Sequence, residues 1–364
     1  MKFLRLAFYV LIAQLVLSGC AGEGVEETSS SSSSEINFDA YLGRNASTRA
    51  GINNIDSLKG KGFGVFARYK HNGAISSLMD NEHVTWNEKE NRWGYTNTRY
   101  WPNEGSVDFY AFAPYLENVK NLVCAPDSIK DNPTCIEFTS SNSNVDLVWD
   151  VQKNKTVPTP PTDGKVKFQF KHALARLGFD ITANQKLEEH GAVIKVKEVK
   201  LYGDTIVNGA FDIKGYLNLE NGGWSRPKEN TRVVYTWTPT GTEDGTNFKL
   251  RASQLDHPCQ LDHTCSKIEN APNSYLCIIP QKKWVAFYLQ ITYTVQQGTF
   301  QEEVTVRKNL LEVRNPPEVS NPSFPFEMGK AYVFHLKLSL DPINFKVTTT
   351  VGNWDVVNDE TMIL

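Results

Sequence analysis

Residues Ala286–Val295 read Ala-Phe-Tyr-Leu-Gln-Ile-Thr-Tyr-Thr-Val, with Phe287, Leu289, Ile291, Tyr293 and Val295 on every second position. Successive side chains of a strand point to opposite faces, so this spacing gathers the apolar groups on one side and leaves the other to water. Lys195–Tyr202 (Lys-Val-Lys-Glu-Val-Lys-Leu-Tyr), Glu303–Val306 and Tyr332–Leu340 repeat the alternation, and they draw on the β-branched and aromatic residues that suit a pleated surface. Turn formers punctuate the chain at Asn72-Gly73, Asp163-Gly164, Asn221-Gly222-Gly223, Asp244-Gly245 and Gln297-Gly298. Short strands with closely spaced turns predict an all-β chain built from antiparallel β-sandwiches. Helix is expected only at His172–Leu177 and near Asn184–His190.

Upstream of the Lys195 strand, Val166–Ile181 forms a strand-like run that closes a first unit, so a boundary is expected within residues 183–191. This divides the folded part into domains 36–185 and 186–364. The proline-rich Val157–Pro161 and Asn315-Pro316-Pro317 read as extended loops inside them. The roughly 330 residues involved are enough for two domains of ordinary size.

The N-terminus has a different character. Lys2 and Arg5 precede an apolar stretch, Leu11–Leu17, broken only by Gln14, and it ends in Leu17-Ser18-Gly19-Cys20. A basic start, a short apolar run and small residues before a cysteine make residues 1–19 a lipoprotein signal peptide and Cys20 the lipidated residue. An ordinary signal peptide that happens to contain a cysteine is the blander reading. Residues 20–35 follow with Glu23, Glu26, Glu27 and the serines Ser29–Ser34, too polar to bury a core, and read as a tether. Ala21 after the cysteine favours the outer membrane over retention at the inner one, and hence a cell-surface location.

Net charge is −3, so no basic surplus points to nucleic acid, and no second apolar run is long enough to cross a bilayer. Beyond Cys20, the cysteines Cys124, Cys135, Cys259, Cys265 and Cys277 are disulfide candidates in an exported chain, with one thiol left over. Asp256-His257-Pro258-Cys259 and Asp262-His263-Thr264-Cys265 could supply zinc ligands, but ligands two residues apart strain the backbone, and a small disulfide loop is the simpler reading. Glu188-Glu189, Glu302-Glu303 and Asp359-Glu360 read as solvated faces rather than a catalytic pair. No Gly-x-Ser-x-Gly, His-Glu-x-x-His or phosphate-loop pattern occurs. The expectation is therefore a non-enzyme with no catalytic residue, metal or cofactor. Trp86, Trp93, Tyr95, Tyr100 and Trp101 could form a sugar-stacking platform, which gives the alternative function of a surface glycan-binding lipoprotein. The alternation in Val107–Ala113 instead assigns these rings to a core.

Four stretches together resemble the fimbrillin family of Bacteroidetes. They are Cys20 with its tether, running on to Ile36-Asn37-Phe38 and Thr48-Arg49-Ala50; Trp86 to Trp101-Pro102 leading into Val107–Tyr115; Phe168–Leu177; and Tyr332–Leu336 through Gly352-Asn353-Trp354. The resemblance implies two tandem transthyretin-like antiparallel β-sandwich domains and no catalysis. It implies a fimbrial (pilus) subunit whose N-terminal segment is removed by an Arg-specific protease, after Arg49 or alternatively Arg44. It further implies assembly with other fimbrial subunits, its own kind or related, by strand exchange. The residues suit that scheme. Ile36, Phe38, Ala40 and Leu42 alternate with polar neighbours, so the segment can fill a groove as one edge strand. Phe345 and Val347 lie in a second alternating stretch, Ile343–Val351, and Ile363 lies in the apolar end Thr361–Leu364; either could be donated into a neighbour's groove.

Overall fold

The computed structural model describes residues 34–42, 55–119, 134–140, 145–158, 163–183, 190–203, 211–226, 232–237, 248–250, 259–260, 276–283, 287–312, 324–338 and 346–353. Its first eight strands are β1 (Asn37–Leu42), β2 (Phe63–His71), β3 (Ala74–Asn87), β4 (Arg92–Gly94), β5 (Ser106–Ala113), β6 (Cys135–Thr139), β7 (Val148–Lys155) and β8 (Lys165–His172). All but β6 form one seven-stranded sheet in the order β1-β8-β7-β5-β2-β3-β4. The β2–β3 hairpin turns on Asn72 and Gly73 with φ of 49° and 78°, the left-handed pair that matches the twist of the flanking strands. One face of β2 and β5 places Val65, Ala67, Val107, Phe109 and Ala111 in a first core, and the other face places Phe66, Tyr110 and Phe112 in a different one. Burial on both faces is why these strands read as nearly unbroken apolar runs. The two ends of the sheet meet over the first core, where β1 touches β4.

A short helix, α1 (Ile55–Lys61), precedes β2 and was not expected from the sequence. It buries Leu58, carries Asp56 in its first turn and Lys59 and Lys61 in its last, and so complements the helix dipole at both ends. Gly62 stops it at φ 67°, its N–H bonded to the Leu58 carbonyl at 2.8 Å. A Cβ at Gly62 would lie 2.5 Å from the Val84 carbonyl oxygen, so glycine is required both by conformation and by space.

The remaining strands are β9 (Ala175–Ala183), β10 (Ala192–Tyr202), β11 (Phe211–Asp212), β12 (Lys214–Asn218), β13 (Trp224–Ser225), β14 (Arg232–Val233), β15 (Tyr235–Trp237) and β16 (Phe248–Leu250). After them come β17 (Cys259–Gln260), β18 (Leu276–Ile278), β19 (Gln281–Lys283), β20 (Tyr288–Gln297), β21 (Phe300–Asn309), β22 (Phe324–Phe326), β23 (Lys330–Leu338) and β24 (Lys346–Asn353). One five-stranded sheet holds β15 and β16 on β10, then β20 and β21; a second holds β17 and β18 on β9, then β23 and β24. Ile194, Val196, Val199, Leu201, Ile291 and Tyr293 from the first share a core with Leu177, Ile181, Phe334 and Leu336 from the second. A bulge between Val196 and Glu198 moves the buried side of β10 from even to odd positions, so its alternation breaks once without exposing the core.

A third core is the seam. The sheet β13-β12-β6 covers the outer face of β2, β5 and β7, with Ile136, Phe138, Leu217 and Leu219 packed on Phe66, Phe112 and Trp149. The first half of the chain therefore lends β6 to a sheet completed by the second half.

The all-β expectation matches this architecture, and the strands expected around Lys195, Ala286, Glu303 and Tyr332 correspond to β10, β20, β21 and β23. Two expectations are corrected. His172–Leu177 is not helical: it is the end of β8, a two-residue link and the start of β9. Its close-set Ala173, Leu174, Ala175 and Leu177 are all buried in the seam or the second core, which mimics helical spacing. β8 belongs to the first sheet and β9 to a second-half sheet, with Ala173-Leu174 as the link between them. The pairing is not wholly antiparallel either, since β1 runs parallel to β8 and β9 parallel to β23.

Candidate functional site

The alternating N-terminal segment forms β1, which among the described residues is an edge strand with a single ladder neighbour. Six residues pair in parallel register, from Asn37 opposite Lys165 to Leu42 opposite Phe170. Ile36, Phe38, Ala40 and Leu42 point inward and are 1%, 2%, 0% and 9% exposed, so the strand completes the first core rather than lying on it. The Phe38 ring fills the centre, with centroids 5.4 Å from Tyr95, 5.7 Å from Phe168, 5.9 Å from Phe109 and 6.3 Å from Phe63. Tilted and edge-on contacts at these separations add to the burial of area.

On its other edge, among the described residues, the chain is held by backbone pairing just before β1 begins. The Ile36 N–H donates to the Arg99 carbonyl at 2.8 Å, and the Trp101 N–H donates to the Ser34 carbonyl at 3.0 Å. Between them Glu35 and Tyr100 form an isolated antiparallel bridge. The Tyr95 hydroxyl donates to the Ile36 carbonyl at 2.7 Å and accepts from the Arg99 N–H at 3.2 Å, and burial pushes this phenol above its ordinary range.

The outward side of β1 carries Asp39 and Tyr41, with the Tyr41 hydroxyl donating to Asp39 at 2.5 Å. Burial, and then the hydrogen bond to the Asp39 carboxylate, push Tyr41 up to about 12. A phenol raised in the folded state stabilises the fold while protonated, and that contribution is lost as pH climbs from about 10 through about 12. Asp39→Asn is expected to bring the Tyr41 midpoint part of the way back, since the burial remains. The difference in phenolate absorbance between each protein and its Tyr41→Phe partner measures it, and an unchanged midpoint would exclude the carboxylate as a cause.

Other predicted site residues are placed as follows. Cys20, Arg44, Arg49, Cys124, Cys265, Phe345 and Ile363 lie outside the described residues. Val347 sits in β24, at the edge of a second-half sheet, 8% exposed in the second core. Cys135 opens β6 and is buried. Cys277 is a buried thiol, which corrects its candidacy for a disulfide with Cys259 or Cys265. Cys277 pairs with Arg176 on β9, whereas Cys259 pairs with Ile181. Five residues of strand separate those positions by roughly 16 Å, far beyond the span of a disulfide. Burial, then the neighbouring Asp146, push the Cys277 thiol well above its usual range.

All of the aromatic cluster but Tyr100, which is 50% exposed, packs in or against the first core. Trp93 and Trp101 are buried in the first core, and Lys59 caps the Trp86 ring at 4.1 Å. A cavity of about 540 Å³ opens beside the start of β1, but its lining (Asn154, Lys155, Asp163, Lys165 and Lys167 among others) includes no aromatic side chain except the buried Trp101. No ring face is presented there for a sugar. Among the described residues no group of three or more His, Cys, Asp or Glu side chains is placed to hold a metal ion. A feature that sequence reasoning missed lies at the seam, where His172 Nδ1 and Asp146 Oδ2 are hydrogen-bonded and both side chains are 1% exposed. Nothing in the local pattern around either residue signals the other.

These features define an all-β protein with two cores and a seam, whose first core is finished by its own N-terminal edge strand. The fimbrillin-like family model matches residues 48–354, and the chain belongs to that family. It is 29% identical over 379 aligned residues to the fimbrium subunit Fim1C of Phocaeicola vulgatus, covering 95% of each chain. The crystal structure of a fimbrial protein from Bacteroides vulgatus ATCC 8482 shares the fold, with a TM-score of 0.60, 20% identity, and coverage of 88% of this chain and 99% of that one.

Proposed function

We propose that this chain is a structural subunit of a cell-surface fimbria that supports adhesion. It is exported as a lipoprotein anchored through Cys20 to the outer membrane. Cleavage by an Arg-specific protease after Arg49, or Arg44, activates it, and subunits then join by donor-strand exchange. The observation that carries this reading is β1: with Ile36 just before it, it inserts four alternate side chains into the first core, has one ladder neighbour among the described residues, and is followed in sequence by residues 43–49 with both arginines. Removing such a strand would bare an apolar groove along β8 that an extended segment of another subunit could refill, its ladder bonds giving affinity and its alternate side chains register. Family membership and the fimbrium-subunit relative support the same conclusion.

The donated strand is drawn from the C-terminal end. Val347 is committed to the second core, so residues 354–364, which carry Ile363, are better placed to be given away than β24 itself. Cys135, buried at the start of β6, is assigned a disulfide with Cys124 that closes the intervening loop. Purified full-length protein is expected to stay monomeric, because an intramolecular strand outcompetes a donated one at ordinary concentrations. After Arg-specific digestion, light scattering should show growth into oligomers. Cleaved protein with an intact C-terminus that stays monomeric, or a truncation before Thr361 that polymerises equally well, would sink the mechanism.

A further inference from the structure

The two ends of β1 are held unequally. Toward Leu42, among the described residues, the strand's backbone is paired with β8 alone, and Leu42 is the most exposed of its inward side chains, at 9% against 0–2% for Ile36, Phe38 and Ala40. At the other end, just before the β8 ladder begins at Asn37, Ser34–Ile36 is held by the Tyr95–Trp101 segment through the two backbone hydrogen bonds that make up the Glu35–Tyr100 bridge and through the two-way bond of the Tyr95 hydroxyl. Among the described residues no backbone pairing holds the outer edge of β1 from Phe38 to Leu42. The grip is itself anchored: the Tyr95 ring packs on Phe38, and Trp101 is buried against Phe109 with centroids 5.7 Å apart.

The geometry points to Tyr95–Trp101 as a clasp that keeps β1 in place after the chain is cut, so that the strand leaves by peeling from Leu42 toward Ser34. This inference rests on the reading of β1 as a removable plug. The arginines lie just past the unclasped end, while Cys20 and the tether lie beyond the clasped one. Cutting therefore frees the weak end and leaves the strong end bound. An incoming strand can take over the ladder on β8 from the Phe170 end, one residue at a time, while the clasp still holds the subunit to its anchored fragment. Cleavage alone would not release the subunit; displacement would. Tyr95 is a positioning residue in this scheme, acting through the Ile36 and Arg99 backbone.

Hydrogen exchange on the intact, uncut chain tests the clasp without relying on any processing. The amides of Ile36 and Trp101 are expected to exchange slowly. Tyr95→Phe, which keeps the ring and removes the hydroxyl, is expected to speed both by about three- to tenfold, the effect of one lost hydrogen bond. Amides in the β2–β5 ladder should be unchanged, and Tyr41→Phe, at the unclasped end, should leave Ile36 and Trp101 unaffected. Unaltered exchange of Ile36 and Trp101 in Tyr95→Phe overturns the clasp, as does stronger protection at 39–42 than at 34–38. In a second arm, protein cut by an Arg-specific protease is passed over a sizing column, and the fragment ending at Arg44 or Arg49 should co-elute with the body. It should leave faster from Tyr95→Phe by a similar factor, and equal rates again overturn the proposal. Failure of the protease to cut within 43–49 would count against the plug reading, while the exchange experiment decides the clasp on its own.

Discussion

Phe38→Ala is expected to lower the unfolding free energy by about 3–5 kcal/mol, the range for truncating a well-packed core phenylalanine. The ring is 2% exposed and lies within 6.3 Å, centroid to centroid, of four other aromatic rings that come from β2, β5, β8 and the segment after β4. Neighbours drawn from four separate elements cannot all close on the space left behind, so the cavity contribution adds to the lost transfer free energy. Tyr41 provides the contrast, because it is on the same strand but faces outward, and its truncation should cost far less. Urea unfolding of the uncut proteins, followed by tryptophan fluorescence from Trp93 and Trp101 in the same core, gives the comparison. A loss for Phe38→Ala no greater than that for Tyr41→Ala would mean that β1 lies over the first core without completing it. The proposed assembly would then lose its driving force, since the emptied groove would have little apolar surface for a donated strand to cover.

How far the sequence foretold this site follows from what each feature depends on. The burial of Ile36, Phe38, Ala40 and Leu42 was legible because a period of two is a local property, written in the residues of the strand itself. The strand's partner was not. A parallel ladder between residues 37–42 and 165–170 joins segments far apart in the chain, and neither carries a mark naming the other. The same limit hid the clasp, which consists of backbone groups and one tyrosine hydroxyl, and the lending of β6 to the sheet of β12 and β13. The short helix Ile55–Lys61 was missed because a single buried leucine in seven residues gives too little periodicity to detect. The joint between β8 and β9 was hidden for a related reason: burial does not lapse there. Ala173 and Leu174 are fully buried, the Trp224 indole N–H donates to the Ala173 carbonyl at 2.8 Å, and the Gly329 N–H donates to that of Leu174 at 2.9 Å. A joint so enclosed has the composition of a core, not of a linker.

That joint also holds the second large effect. His172 closes β8, Asp146 precedes β7, and Arg176 lies four residues beyond His172, near the start of β9. Burial pushes the Asp146 carboxyl above the usual carboxylate range, while His172 first and then Arg176 draw it down. A buried acid held between such opposing influences adds little net stability, because desolvation consumes what its partners return. Removing one member is another matter, since it takes away the compensation and leaves the desolvation. Asp146→Leu is therefore expected to cost about 3–5 kcal/mol, as is His172→Leu. The double variant should cost less than the sum of the two, with a coupling of about 0.5–3 kcal/mol, because the second change removes a group that the first had already stranded. Thermal or urea unfolding of the four proteins completes the cycle. Strict additivity would show that Asp146 and His172 are buried side by side without acting as a pair, and the seam would then owe its cohesion to Phe66, Phe112, Trp149 and their apolar neighbours alone.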